Sequence, residues 1–112
     1  MRNEEQQPVF EVTDVSIWTV KTFPLGLVIS VKGRTGSNDW TDFQLTPVEY
    51  VVYPEDGIHD IYWTGDPGGS LTVVTDVEFA SNWIGFPQDD LKGVRIHAGT
   101  NKLEAMLPVP KC

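Results

Sequence analysis

The chain has 112 residues, of which 40% are hydrophobic, and its formal net charge is −8. This length is typical of a single domain, and five Phe, four Trp and three Tyr supply a core, which argues against a disordered chain. The negative charge repels phosphates, so nucleic acids and anionic membrane surfaces are excluded as favourable partners.

The acidic residues are concentrated in the middle of the chain. Residues 35–91, the acidic stretch, contain no Lys or Arg, whereas the basic residues lie in two flanking segments. Such a field favours basic partner proteins or divalent cations, and it also promotes solubility. The eleven acids of the stretch are Asp39, Asp42, Glu49, Glu55, Asp56, Asp60, Asp66, Asp76, Glu78, Asp89 and Asp90.

The first third of the chain begins with a polar segment and continues with two strand patterns. Residues 1–8 are polar and charged, which predicts a flexible N-terminal lead-in. Residues 9–20 are rich in β-branched side chains, and a change of phase near Asp14 predicts a β-bulge. Apolar residues then alternate with others over residues 25–31, which is the clearest strand pattern in the chain.

The middle of the chain combines short strands with tight turns. Phe43 and Leu45 indicate a short third strand, and residues 50–53 form an extended apolar run. Residues 54–57 read Pro-Glu-Asp-Gly, which predicts a β-turn because Pro presets φ and Gly accepts a positive φ. Residues 58–63 follow as another strand.

The last part of the chain contains three further strand patterns. Residues 71–79 form the first, and residues 81–91 are irregular. Residues 94–98 and 103–107 alternate between apolar and polar side chains, so each predicts a strand.

Strands at this spacing, with no helical apolar period, predict an all-β fold. We expect an antiparallel β-sandwich of about seven to eight strands with immunoglobulin-like (Ig-like) architecture, and a small β-barrel is the alternative. The sandwich domain is expected over residues 9–108, followed by a C-terminal tail at residues 109–112. Cys112 is the only cysteine, so no disulfide forms within the chain. Without a signal peptide, a soluble cytoplasmic protein is expected, and an exported protein whose signal has been removed is the alternative.

No catalytic motif is present in the sequence. There is no Gly-x-Ser-x-Gly, and His59 and His97 lack the short spacing of metal ligands, which favours a protein that is not an enzyme. Trp40 and Trp83 lie in less regular, polar segments, where an aromatic face could stack on a sugar ring. His59 follows a turn, and it completes the candidate ligand-binding residues. The alternative is that the Trp side chains are buried in the core.

Loop carboxylates are the candidate metal ligands. Asp39 and Asp42 lie in or beside one turn, and Asp56 and Asp60 bracket another. Oxygens from adjacent turns could hold a calcium ion, which is the only cofactor considered. The alternative is that Asp is favoured in turns for local reasons.

Turn and strand residues recur in two blocks of the chain. The first comprises residues 36–41 with Leu45, Tyr50 and residues 54–58, and the second comprises residues 93–98 with Asn101. Together they resemble a family of small, uncharacterised bacterial proteins, and the resemblance covers roughly residues 25–107. It implies a bacterial origin and a framework built on the turn at residues 54–57, the strand that starts at Gly93 and the turn at Asn101. It implies no activity.

Two functions are compatible with these patterns. The first is a non-enzymatic β-sandwich module that binds a protein partner, and the one-signed charge favours a basic partner. The second is a carbohydrate- or calcium-dependent ligand-binding module that uses Trp and loop carboxylates. Neither involves nucleic acid or membrane insertion.

Overall fold

A computed structural model describes residues 6–68 and 71–107. The described residues form an all-β structure of eight strands in two sheets, and they contain no helix that could cross a membrane. The strands are β1 (Gln7–Pro8), β2 (Glu11–Val20), β3 (Gly26–Thr35), β4 (Thr41–Pro47), β5 (Ile58–Asp66), β6 (Thr75–Ile84), β7 (Gly93–His97) and β8 (Lys102–Met106).

The smaller sheet is antiparallel in the order β2-β3-β6. The clear alternation in the sequence explains the central strand, because Leu27, Ile29 and Val31 all point into the core and are buried. The pairing of β2 with β3 shifts register between Val12 and Asp14. The predicted β-bulge is therefore confirmed.

The larger sheet is built around β5. Ile61 pairs with both Pro47 of β4 and Ile96 of β7, so these two strands flank β5 on opposite edges. β1 continues the β7 edge, since Thr64 pairs with Gln44 on one side and Pro8 on the other. β8 then pairs with β7. Over the described residues neither sheet closes into a barrel, and the arrangement is sandwich-like.

One pairing departs from the antiparallel sandwich that the sequence predicts. β5 and β7 run parallel. The reason is that the strand between them in the chain, β6, belongs to the other sheet. The chain therefore crosses to the smaller sheet and returns at the same end, which makes the two neighbours parallel.

The core lies between the two sheets. Trp63 is its largest fully buried side chain, and it packs against Gly33 of the opposite sheet. A Cβ atom at Gly33 would lie 2.6 Å from the ring of Trp63, so only glycine fits there. The Nε1 of Trp63 is buried and has no hydrogen-bond partner among the described residues.

Residues 54–57 form the expected turn. The N–H of Gly57 donates to the carbonyl of Pro54 at 3.1 Å, and Gly57 has a φ of 75°. This prediction is confirmed.

Two apolar runs differ from the sequence prediction. Residues 50–53 are not a strand, and Val51 and Val52 point into solvent. Pro47 and Pro54 bracket this segment, and because proline lacks an N–H, the backbone at each end of the segment has no donor for a sheet. β6 starts only at Thr75, after an exposed segment that includes Leu71, and it extends to Ile84 through residues expected to be irregular.

The ends of the chain are described in part. Gln7–Pro8, in the expected lead-in of residues 1–8, forms the short strand β1, while residues 1–5 lie outside the described residues. The expected tail at residues 109–112, including Cys112, also lies outside them.

The turn between β7 and β8 contacts the start of β2. The side-chain amide of Asn101 accepts the N–H of Val12 at 2.9 Å and donates to its carbonyl at 2.8 Å. Gly99 N–H donates to Val9, and Thr100 N–H donates to Phe10. We call this set of contacts the Asn101 bridge. It ties one sheet to the other at the bulge.

Candidate functional site

A cleft of about 640 Å³ opens at one end of the sandwich. It lies where β4 ends, β5 begins and β6 ends, so both sheets contribute to it. The lining contains several aromatic side chains and no Lys or Arg. The lining residues are Thr46, Pro47, Val48, Glu49, Tyr50, Tyr53, His59, Trp83, Gly85 and Pro87.

His59 forms the floor of the cleft. Its side chain points inward from β5 on the same face as Ile61 and Trp63, and the residue is only 1% exposed. The Nε2 of His59 lies 2.6 Å from Oδ2 of Asp90. A turn holds Asp90 in place, since its N–H donates to the carbonyl of Pro87.

Three aromatic rings surround His59. The ring centroid of Tyr50 lies 5.4 Å from that of His59 in an edge-on contact, and the ring of Tyr53 lies 5.3 Å away at an angle of 47°. Trp83 approaches from the other sheet at 6.4 Å. The rings contact the histidine from different directions and form the walls of the cleft.

Tyr50 is held in place by Asp60. Its hydroxyl donates to Oδ2 of Asp60 at 2.7 Å and accepts the N–H of Asp60 at 2.9 Å. Burial and the hydrogen bond to Asp60 raise the pKa of Tyr50 above its usual value, so the hydroxyl stays a donor. This wall of the cleft is therefore fixed before any ligand arrives.

Asp60 also lies at the centre of a second group of polar side chains, on the outer face of the larger sheet. Arg95 and His97 of β7 contact its Oδ1 at 3.1 and 2.8 Å. Burial alone would raise the pKa of Asp60, but hydrogen bonds from His97, Tyr50 and Arg95 outweigh it and lower the pKa to about 2. Arg95 also pairs with Glu104 at 2.8 Å. We call Asp60, Arg95, His97 and Glu104 the outer cluster.

The structure brings two of the three predicted ligand-binding residues together. Trp83 and His59 line the same cleft. Trp40 lies elsewhere, with its Nε1 donating to Oγ of Ser37 at 3.0 Å. Sequence reasoning missed Tyr53 and the pairing of Asp90 with His59, and the only sequence signal was a tyrosine-containing run closed by prolines.

The predicted calcium ligands do not gather at one point. Asp39 and Asp42 have positive φ values of 67° and 54°, which Asp tolerates better than most residues, and Asp42 lies in β4 where its pairing with β5 shifts register. The Oδ1 of Asp56 accepts the N–H of Ile58 at 3.0 Å, and Asp60 is engaged in the outer cluster. Within residues 6–68 and 71–107, no three His, Cys, Asp or Glu side chains are placed to hold a metal ion. The calcium site stays a prediction from the sequence.

The cleft offers aromatic faces, Glu49 and a buried histidine whose Nε2 faces Asp90, and these groups can bind a ligand. Comparisons of the chain with protein-family models, with curated proteins and with solved structures find no match. The support for a function therefore comes from the cleft itself.

Proposed function

We propose that this chain is a soluble, non-enzymatic, Ig-like β-sandwich module that binds a segment of a protein partner at its cleft end. The observation that carries this proposal is the apolar rim beside the cleft. Val51 is fully exposed, Val52 is 80% exposed and Tyr53 is 50% exposed. Clustered apolar side chains in water beside a concave site are typical of interaction surfaces.

The pairing of rim and cleft supports a protein partner over a free small molecule. Partner side chains would cover Val51 and Val52 while one of them enters the cleft. Binding sites of this kind concentrate affinity in a few aromatic residues that exclude water, and Tyr53 and Trp83 occupy that position. The fixed ring of Tyr50 lowers the ordering cost of binding.

The charge of the chain favours a basic partner segment. No residue that lines the cleft is a Lys or Arg, and the whole acidic stretch lacks both. Complementary charge speeds association and makes it sensitive to salt.

A displayed library of random peptides tests the proposal. We expect selection on the folded protein to enrich peptides that bind with a salt-sensitive affinity. Replacing Tyr53 with Ala should weaken them about tenfold, since an exposed aromatic anchor contributes about 1.4 kcal/mol. Val52→Asp should also weaken them. Isothermal titration calorimetry measures both effects.

Tyr62→Ala is the matched control. Tyr62 is 49% exposed, close to the exposure of Tyr53, but it stacks on His97 away from the cleft. Its replacement should leave peptide affinity unchanged. Peptides that bind all three variants as well as the wild type, or a library without any enriched sequence, would overturn the proposal.

A carbohydrate ligand is the second candidate, favoured by the shared position of Trp83, His59 and Glu49 in one cleft. A sugar ring could stack on Trp83 while the carboxylate of Glu49 accepts hydrogen bonds from its hydroxyl groups. A glycan array read by tryptophan fluorescence tests this, with Trp18→Ala as control because Trp18 is an exposed residue of β2. Glycans that still bind the Trp83→Ala variant would rule out the cleft as their binding site.

A further inference from the structure

We propose that the cleft binds an organic ammonium group, presented by the partner as a lysine side chain and held against the ring faces of Tyr50, Tyr53 and Trp83. This inference rests on the proposed function and deepens it, because it names the group that enters the cleft.

The rings form a partial aromatic enclosure. Measured against His59, the planes of Tyr50, Tyr53 and Trp83 are tilted by 88°, 47° and 64°, so they present faces and edges in several directions. A cation within about 6 Å of an aromatic face is attracted to its electron density. Ammonium groups are bound in this way when several rings surround them.

The charge around the rings has one sign. Glu49 lies in the lining of the cleft. A second recess of about 340 Å³ shares Tyr53 and Pro87 with the cleft and adds Asp89 and Asp90, the latter being the partner of His59. Neither lining contains Lys or Arg. Concave surfaces lined by one sign of charge concentrate the opposite ion, so the site attracts cations and repels anions.

The two features together separate an ammonium from other ligands. A neutral sugar would use the rings but not the net negative charge. A hydrated metal ion would use the carboxylates but not the rings, and the described carboxylates do not converge on a metal position. An organic ammonium uses both. The cleft volume of about 640 Å³ also leaves room for the aliphatic stem and its neighbours.

The first experiment compares choline with 3,3-dimethylbutan-1-ol, which has the same shape without the charge. We expect choline to shift the nitrogen–proton NMR signals of Trp83 and its neighbours, with a Kd on the order of 1 mM. The neutral isostere should bind at least about tenfold more weakly. Equal binding of the two compounds would overturn the inference.

Variants of the cleft residues show where choline binds. Tyr53→Ala should weaken choline binding about fivefold, and Tyr62→Ala should leave it unchanged, as an exposed cation–π contact is worth about 1 kcal/mol. Glu49→Gln keeps the shape of the lining and removes one charge, so we expect a loss of about threefold that disappears at high salt. Choline binding that survives Tyr53→Ala would place the ammonium elsewhere and contradict the inference.

The peptides selected from the library test the source of the ammonium. We expect them to contain lysine, and replacing that lysine with norleucine should abolish binding. Peptides that bind at the cleft without lysine would overturn this inference and leave the proposed function intact. If no peptide binds but choline does, the proposed protein partner fails and the source of the ammonium is a free molecule.

Discussion

Two histidine–carboxylate pairs lie on opposite faces of the same sheet. His59 contacts Asp90 at 2.6 Å in the floor of the cleft, whereas His97 contacts Asp60 at 2.8 Å on the outer face. His59 and Asp60 are adjacent in β5, and the alternation of a strand sends their side chains to opposite sides. The same type of histidine–carboxylate pair therefore occurs in two different surroundings.

The surroundings differ in what is left for a ligand. In the outer cluster Asp60 contacts Arg95, His97 and Tyr50, and Arg95 also contacts Glu104, so each carboxylate has a cationic partner in Arg95. Around His59 the rings leave open space, and the nearby carboxylates face no Lys or Arg in the lining. A histidine–carboxylate pair alone therefore does not distinguish the two faces, and it is the open aromatic cleft beside His59 that supports the proposed binding site.

Replacing His59 with Ala should lower the stability of the protein more than any other substitution in these two regions. It removes a buried ring that three aromatic residues contact and leaves the carboxylate of Asp90 without its partner. We expect the free energy of unfolding to fall by about 3 kcal/mol. His97→Ala, at a partly exposed surface pair, should cost less than about 1 kcal/mol. Urea denaturation measures both, and equal losses would contradict the contrast.

Asp60→Asn tests the outer cluster through pH. Because the pKa of Asp60 in the folded protein is about 2, below its ordinary value of 3.8, its ionised form stabilises the fold above pH ~4. That stabilisation is lost as the pH falls from about 4 to about 2. Since the side chain is 27% exposed, solvent screening limits it to about 1–2 kcal/mol.

The measurement is urea denaturation of the wild type and Asp60→Asn from pH 6 to pH 2. We expect the difference in stability between them to shrink below pH ~4. A difference that stays constant over this range would show that the negative charge of Asp60 does not stabilise the fold.

Tyr50→Phe should have a smaller effect than Asp60→Asn and should link the two regions. Tyr50 contacts His59 with its ring and Asp60 with its hydroxyl, so it belongs to both. Losing the hydroxyl should cost about 1 kcal/mol. The pKa of Asp60 should rise, because the hydrogen bond from Tyr50 lowers it. NMR titration of the Asp60 carboxyl carbon gives this value, and an unchanged pKa would contradict the link.

The sequence predicts local features of this fold well and convergent ones poorly. The bulge near Asp14 and the strand β3 follow from alternation within a few residues, which one segment determines alone. The parallel pairing of β5 with β7 depends on β6 joining the other sheet, and no local pattern reveals that. The same limit applies to the site. Trp83 and His59 are recognisable as residue types, but they lie on strands of different sheets, and no local pattern reveals that they meet.

The Asn101 bridge has a consequence for the synthesis of the chain. Val12 and Asn101 are 89 residues apart, yet the side-chain amide of Asn101 forms hydrogen bonds with both the N–H and the carbonyl of Val12. While a ribosome is still making β6, the backbone groups of Val12 that bond Asn101 lack this side-chain partner. Pairings of such long separation form late and slowly. The contacts of the Asn101 bridge therefore form only after the turn before β8 has left the ribosome, later than the pairing of β2 with β3.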